Sequence, residues 1–146
     1  MLATVLYAVV DSRSLRLRMS RAGHFPPLRL QNGNVEEVEG DGTLPLLLMD
    51  LPPIPCEEHG LSPGDQLLFY TDGVTECENP AGTMYEVDRL KEAFRTGENL
   101  HPKDLVQSLA ADLTRFGGGC DFSDDRTLLL MSIGAGVAQK GDGGRS

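Results

Sequence analysis

Three aspartates in two short segments carry most of the chemical potential of this chain. Asp72 lies in FYTDGVTE, and Asp124 and Asp125 lie side by side in FSDDRTLLL. Asp72 follows the short apolar run from Gln66 to Tyr70. Gly73 behind it frees the backbone to turn, so the carboxylate can point away from a core. Asp124 and Asp125 occupy the opposite kind of junction, a loop entering the apolar run from Thr127 to Ile133. If the two runs are neighbouring strands, the carboxylates converge at one sheet edge. Oxygen ligands of this kind suit hard divalent cations such as Mg²⁺ and Mn²⁺. Two such ions about 4 Å apart lower the pKa of a bridging water and clamp a phosphoryl group for in-line attack, without a side-chain nucleophile. An aspartate before glycine is also a common turn residue, and paired loop aspartates are commonly just solvated, so spacing alone leaves both readings open.

Other chemistries find less support. No DxDxDG run with a glutamate at its twelfth position offers a calcium loop. A covalent aspartyl mechanism built on DxDG needs a nucleophile where Tyr70 stands. Cys56 and His59 could reach one metal, but two ligands do not make a zinc site. His24, in SRAGHFPPL, is a turn histidine that could contact phosphate or orient its loop, and a purely conformational role is the simpler reading. His59 and His101 have nothing around them that suggests chemistry. There is no GxSxG elbow, P-loop or dinucleotide glycine motif.

The bulk properties narrow the class. The 146 residues suit one domain, with 40% hydrophobic and 24% charged residues balanced as in globular proteins. A formal charge of −9 opposes binding to a polyanion. Arg13, Arg16 and Arg18 do cluster, at a spacing that reads as the wet face of a hairpin, so no nucleic-acid role is expected. Three separated cysteines without a CxxC pair suit reduced thiols in a cytoplasm. No apolar run approaches the roughly 20 residues of a membrane span, and the apolar N-terminus lacks a basic leader and cleavage site. A cytoplasmic protein without a membrane segment is the expectation.

Elements that could position the aspartates are legible. Ala3 to Val10 reads as a largely buried strand. Leu15, Leu17 and Met19 alternate with Arg16, Arg18 and Ser20, and the Asp11 to Ser14 turn suggests a hairpin. Leu28 to Leu30 and Val35 to Val38 flank Asn32-Gly33, a tight-turn pair that predicts a second hairpin. The proline-rich stretch 40–55 reads as an irregular connection. Ser62 to Asp65 is a turn leading into a strand over Gln66 to Tyr70. Apolar stripes predict helices from Glu86 to Arg95 and from Pro102 to Phe116, the second opened by Pro102 and stopped by Gly117. A flexible loop from Gly117 to Asp125 and a buried strand from Thr127 to Ile133 complete an α+β arrangement, with helices covering antiparallel hairpins. Residues 1–133 form the expected domain, and 134–146 an expected disordered polar tail.

Taken in order, ATVLYAVVD, RAGHFPPLRL, SPGDQLLFYTDGVTE and FSDDRTLLL resemble the PPM (type 2C) protein phosphatases, in particular the bacterial SpoIIE/RsbU branch. YTDGVTE and SDDRT are the specific parts, and the resemblance runs from about Leu2 to Ile133. It implies a β-sandwich flanked by helices in α-β-β-α layers, with a binuclear Mn²⁺ or Mg²⁺ centre at one edge. It also implies hydrolysis of phosphoserine or phosphothreonine by a metal-bridged water. Carried across, Asp72 matches the metal-binding aspartate of the TDG motif and Gly73 the glycine whose backbone lies against the metals. Asp124 matches the ligand aspartate of the last motif, with Asp72 and Asp124 the catalytic pair. Asp125 takes a position filled by asparagine in many relatives, and His24 falls in the AGH segment as a structural or substrate-adjacent residue.

The departures are equally specific. The GGD-type and DxSGKG-type segments that supply further aspartates in a complete domain of this branch are not found in these residues. The resemblance therefore implies that the N-terminal portion of the fold is missing. Leu47 replaces a glycine after LPL, and Arg21 replaces the usual asparagine before AGH. The expected function is a protein serine/threonine phosphatase in sigma-factor, stress or sporulation signalling, acting on a phosphorylated protein such as an anti-sigma-factor antagonist. The alternative is a catalytically silent, truncated phosphatase fragment that serves as a binding or regulatory module. An exposed sheet edge would favour self-association.

Overall fold

In the computed structural model the described residues are 3–46, 53–118 and 125–134. They form seven strands and three helices in the order β1 (Val5–Asp11), β2 (Arg16–Ala22), β3 (Leu28–Gln31), β4 (Asn34–Glu37), β5 (Glu57–Gly60), β6 (Gln66–Tyr70), α1 (Asp72–Thr75), α2 (Glu86–Thr96), α3 (Pro102–Phe116) and β7 (Leu128–Ser132). The strands make two antiparallel sheets, ordered β1-β2-β5 and β4-β3-β6-β7.

Both expected hairpins form. Asp11 Oδ1 accepts the amides of Arg13 (2.8 Å) and Ser14 (3.2 Å), closing the β1–β2 turn. Asn32 and Gly33 both take positive φ, 50° and 76°, the tight-turn geometry that Asn-Gly favours between β3 and β4. Both predicted helices form as well. In α3, His101 Nδ1 accepts the Lys103 amide (3.3 Å) ahead of Pro102, and the Gly117 amide closes the far end on Leu113 O (2.9 Å).

Side-chain alternation then builds layers. Leu17 and Met19 of β2 meet Leu67 of β6 and Ile133 between the two sheets, with Ala8, Val10, Phe69 and Met131 packed around them. The opposite face of the second sheet, with Leu28, Leu30, Leu68 and Tyr70, packs on Leu90 and Phe94 of α2 and Leu105, Leu109 and Leu113 of α3. The helices, with an apolar stripe on one side, bury it here. Among the described residues this makes three layers, sheet on sheet on helix pair, which are three of the four expected.

Two expectations need correction. β1 is not largely buried: Val5, Tyr7 and Val9 alternate outward, with Tyr7 67% exposed, because no described element covers that face. β5 was not anticipated, since EEHG has no strand-like apolar pattern. It is held as an edge by pairing with β2 and by the Arg16–Glu58 ion pair at 2.6 Å. Leu47 and Cys120 lie outside the described residues, as does the expected tail from 135. Among the described residues no helix is long and apolar enough to cross a membrane.

The two faces of this core predict different mutational costs. Leu68→Ala should lower unfolding stability by about 3 kcal/mol, because it opens a cavity against the helices. Leu129→Ala, at a 57% exposed side chain on β7, should cost under about 1 kcal/mol in the same urea titrations. Alkali should also destabilise the fold. Burial pushes the Tyr70 phenol up to about 12, with Glu37 adding to the effect and Arg21 opposing it. Tyr85 is raised too, by burial and by donating to Asp112 Oδ2 at 2.6 Å. The folded state holds both phenols neutral above their unfolded pKa of about 10, so their contribution is complete below that pH and declines as pH rises toward about 12. Urea midpoints should fall over that window, and less steeply in Tyr70→Phe.

Candidate functional site

The site grows out of the register between β6 and β7. Tyr70 sits opposite Leu128, so the chain leaving β6 and the chain entering β7 stand at the same end of the sheet. Thr71 fastens them. Its amide donates to Thr127 O (3.3 Å), its hydroxyl accepts the Thr127 amide (3.0 Å), and that hydroxyl also faces Asp125 O at 3.4 Å. Asp72 then opens the single turn α1, so the expected strand end continues directly into a helical turn. Its carbonyl accepts the Glu76 amide (2.8 Å) and the Thr75 hydroxyl (3.2 Å), and its Oδ1 accepts the Gly73 amide (2.9 Å). The backbone of Asp72 is fixed on the protein side while its side chain stays exposed.

Gly73 is required by a close approach. A Cβ built there would lie 2.5 Å from Asp125 O and 3.1 Å from Arg126 Cγ. That intimacy brings Asp72 and Asp125, 53 positions apart in sequence, to one place. Asp125 is exposed, and Arg126 turns inward, with Nη1 3.7 Å from the Sγ of buried Cys77.

The other wall comes from the turn after β2. A small cleft of about 30 Å³ is lined by Thr4, Gly23, His24, Phe25, Thr71 and Asp72. His24 is thus brought beside Asp72, with its Nδ1 3.0 Å from Phe25 O. Phe25 stacks on Tyr70 at a centroid distance of 5.8 Å and an interplanar angle of 18°, tying this turn to the residue two before Asp72. Sequence reasoning missed Thr71 and Phe25 as builders of the cleft. Thr71 could have been found from its place inside YTDG, whereas the Phe25 stack depends on strand pairing between distant segments.

The SPGD segment proves to be structural. Asp65, 1% exposed, receives Arg29 Nη2 at 2.5 Å, Gln31 Nε2 at 2.8 Å and the Ser62 amide at 2.8 Å. A buried carboxylate with this many donors is satisfied, and it anchors the start of β6 to β3.

Of the expected ligand residues, Asp72, Gly73 and Asp125 come together and Asp124 lies outside the described residues. Exposed carboxylates are the right donors for a hard cation. Their number is short of a coordination sphere, since no group of three or more His, Cys, Asp or Glu side chains able to hold a metal gathers among the described residues.

Two antiparallel sheets with a helix pair on one side make a fold similar to that of PP2C phosphatase domains. The phosphatase domain of the cell fate determinant SpoIIE from Bacillus subtilis matches 92% of this chain with a TM-score of 0.73 at 16% identity, and the match covers 58% of that chain. The RsbU and RsbW domains of Rv1364c from Mycobacterium tuberculosis match 88% of this chain with a TM-score of 0.73 at 28% identity, over 35% of that chain. The chain belongs to the stage II sporulation protein E (SpoIIE) family, whose family model matches residues 1–134. Among curated proteins, Protein IcfG of Synechocystis sp. is 27% identical over 131 residues, which is 90% of this chain and 20% of IcfG.

The Gly73 contact can be tested directly. Gly73→Ala should destabilise the fold by about 1–3 kcal/mol, because the intruding atom meets backbone that must shift. Gly60→Ala, where a Cβ meets nothing within 4 Å, should be near neutral. Chemical denaturation of the two variants checks both.

Proposed function

We propose that this chain is the C-terminal part of a PPM-type protein serine/threonine phosphatase domain, with residues 1–133 as the domain portion and 134–146 as a polar tail. Asp72, Asp124 and Asp125 are its metal-edge carboxylates, Gly73 its close-approach backbone and His24 a substrate-adjacent residue. The observation that carries this reading is the meeting of Asp72 and Asp125 across the β6–β7 sheet end, with Gly73 packed on Asp125 O. Membership of the SpoIIE family and the likeness to PP2C domains support it.

In this reading a binuclear Mn²⁺ or Mg²⁺ centre, when bound, supplies charge neutralisation and an activated water. The chain's own residues hold geometry. Thr71 and α1 fix the Asp72 backbone so that its carboxylate need not reorganise, and the Phe25 stack holds the His24 turn where a phosphorylated side chain would enter. The substrate is a phosphorylated signalling protein such as an anti-sigma-factor antagonist, in cytoplasmic stress or sporulation signalling. Similarity to a protein carrying RsbU and RsbW domains supports that choice.

A second reading has its own support. The match covers 58% of the Bacillus phosphatase-domain chain, so that chain has a portion with no counterpart here. On that reading the chain is a silent binding or regulatory module. Phosphate release from a phosphoserine peptide with and without Mn²⁺, paired with Mn²⁺ calorimetry, separates the two. The phosphatase reading expects metal-dependent turnover, lost in Asp72→Asn along with at least about 10- to 100-fold of Mn²⁺ affinity. Absence of both turnover and Mn²⁺ binding in the unaltered chain would defeat it in favour of the module.

A further inference from the structure

We infer that Arg21 is a positioning residue of this site, a guanidinium fork that fixes the wall of the cleft facing Asp72. The inference rests on the phosphatase reading for its purpose, but the geometry stands by itself. Arg21 is near the end of β2, opposite Leu6 of β1. Its Nη1 donates to His24 O at 3.0 Å and its Nη2 to Gly40 O at 2.6 Å. One planar group therefore bridges two carbonyls that are 16 positions apart in sequence.

The backbone of Arg21 makes the same connection. Its carbonyl accepts the Thr43 amide (3.0 Å) and the Thr43 hydroxyl (3.3 Å), and Thr43 O accepts the Gly23 amide (2.7 Å). Gly23 adopts φ 64° against Pro45, where a Cβ would meet the ring at 2.5 Å, and Gly42 lies against the guanidinium itself. The segment 40–45 is thereby strapped to the turn that carries His24. On the turn's other side Phe25 stacks on Tyr70, so His24 is held between the fork and the strand that delivers Asp72.

The residue type is specific to this task. Arginine presents several donors in a rigid plane, so it can hold two acceptors in fixed relation. A lysine ammonium is a point charge on a flexible stem and fixes neither direction. None of the ion pairs formed among the described residues involves Arg21, whose charge is spent on carbonyl oxygens. That is the pattern of a group used to shape backbone, and the backbone it shapes lines the cleft.

The test compares the 146-residue chain with Arg21→Ala and Arg21→Lys by amide NMR. Hydrogen exchange at Gly23 and Thr43 is expected to accelerate by about tenfold or more in both variants, while the β6 amides stay protected. Mn²⁺ titrated into the unaltered chain is expected to broaden the Gly73 amide together with those of Gly23, His24 and Phe25. In both variants broadening at Gly73 should persist and that at the turn should weaken. Arg21→Lys keeps the charge and most of the stem, so it carries the test if the alanine variant folds poorly. Unchanged exchange at Gly23 and Thr43, acceleration spread through the whole sheet, or full restoration by lysine would each overturn the inference. Broadening at the turn equal to that of the unaltered chain would overturn it too. If Mn²⁺ broadens nothing in the unaltered chain, the metal reading fails instead, and the exchange comparison still decides whether Arg21 fixes the turn.

Discussion

Everything in this molecule depends on β6 being buried on both faces. Leu67 and Phe69 point into the space between the sheets, and Leu68 and Tyr70 into the space under the helices. A strand sandwiched in this way loses apolar surface to two layers at once, and a slip of one residue would exchange every contact on both sides. Its pairing with β3 and β7 is held at the start by the buried Asp65 cluster and at the end by Thr71. The position of Asp72 is inherited from that double constraint.

A site built this way divides its tasks between rigid and adaptable parts. The backbone around Asp72, Gly73 and Asp125 has little room, because a Cβ at Gly73 would lie 2.5 Å from Asp125 O and force the backbone to shift. The carboxylates themselves remain exposed, which is where a ligand of opposite charge would be met. Across the cleft, His24 lies outside the strands and is held by a side-chain fork from β2, a ring stack on β6 and a glycine turn. Arg21 and Phe25 thus do for a loop what strand pairing does for Asp72.

Much of the fold was legible because its elements have strong local patterns. The alternation of Leu17 and Met19 with arginines, the Asn32-Gly33 turn and the stripes of α2 and α3 each specify structure through interactions a few residues apart. β5 was hidden because Glu57–Gly60 has no apolar alternation; its strand character comes from pairing with β2. The exposure of Val5, Tyr7 and Val9 was equally unreadable, since a β-branched and aromatic run looks the same whether or not another layer covers it.

The candidate site shows the same division. The sequence by itself determined the chemical types: aspartates beside a glycine at strand ends, the order of motifs that marks the SpoIIE family, and a histidine in a glycine-proline turn. Only the tertiary structure decided that the residues on either side of Asp72 lie against Asp125 O, that His24 shares the cleft of Asp72, that Asp65 is a buried anchor, and that Arg21 spans two carbonyls. The physical reason is range. Turn chemistry and strand patterning act over a few residues and are written locally, whereas convergence of groups far apart in the chain is set by strand register and layer packing, which no short segment encodes.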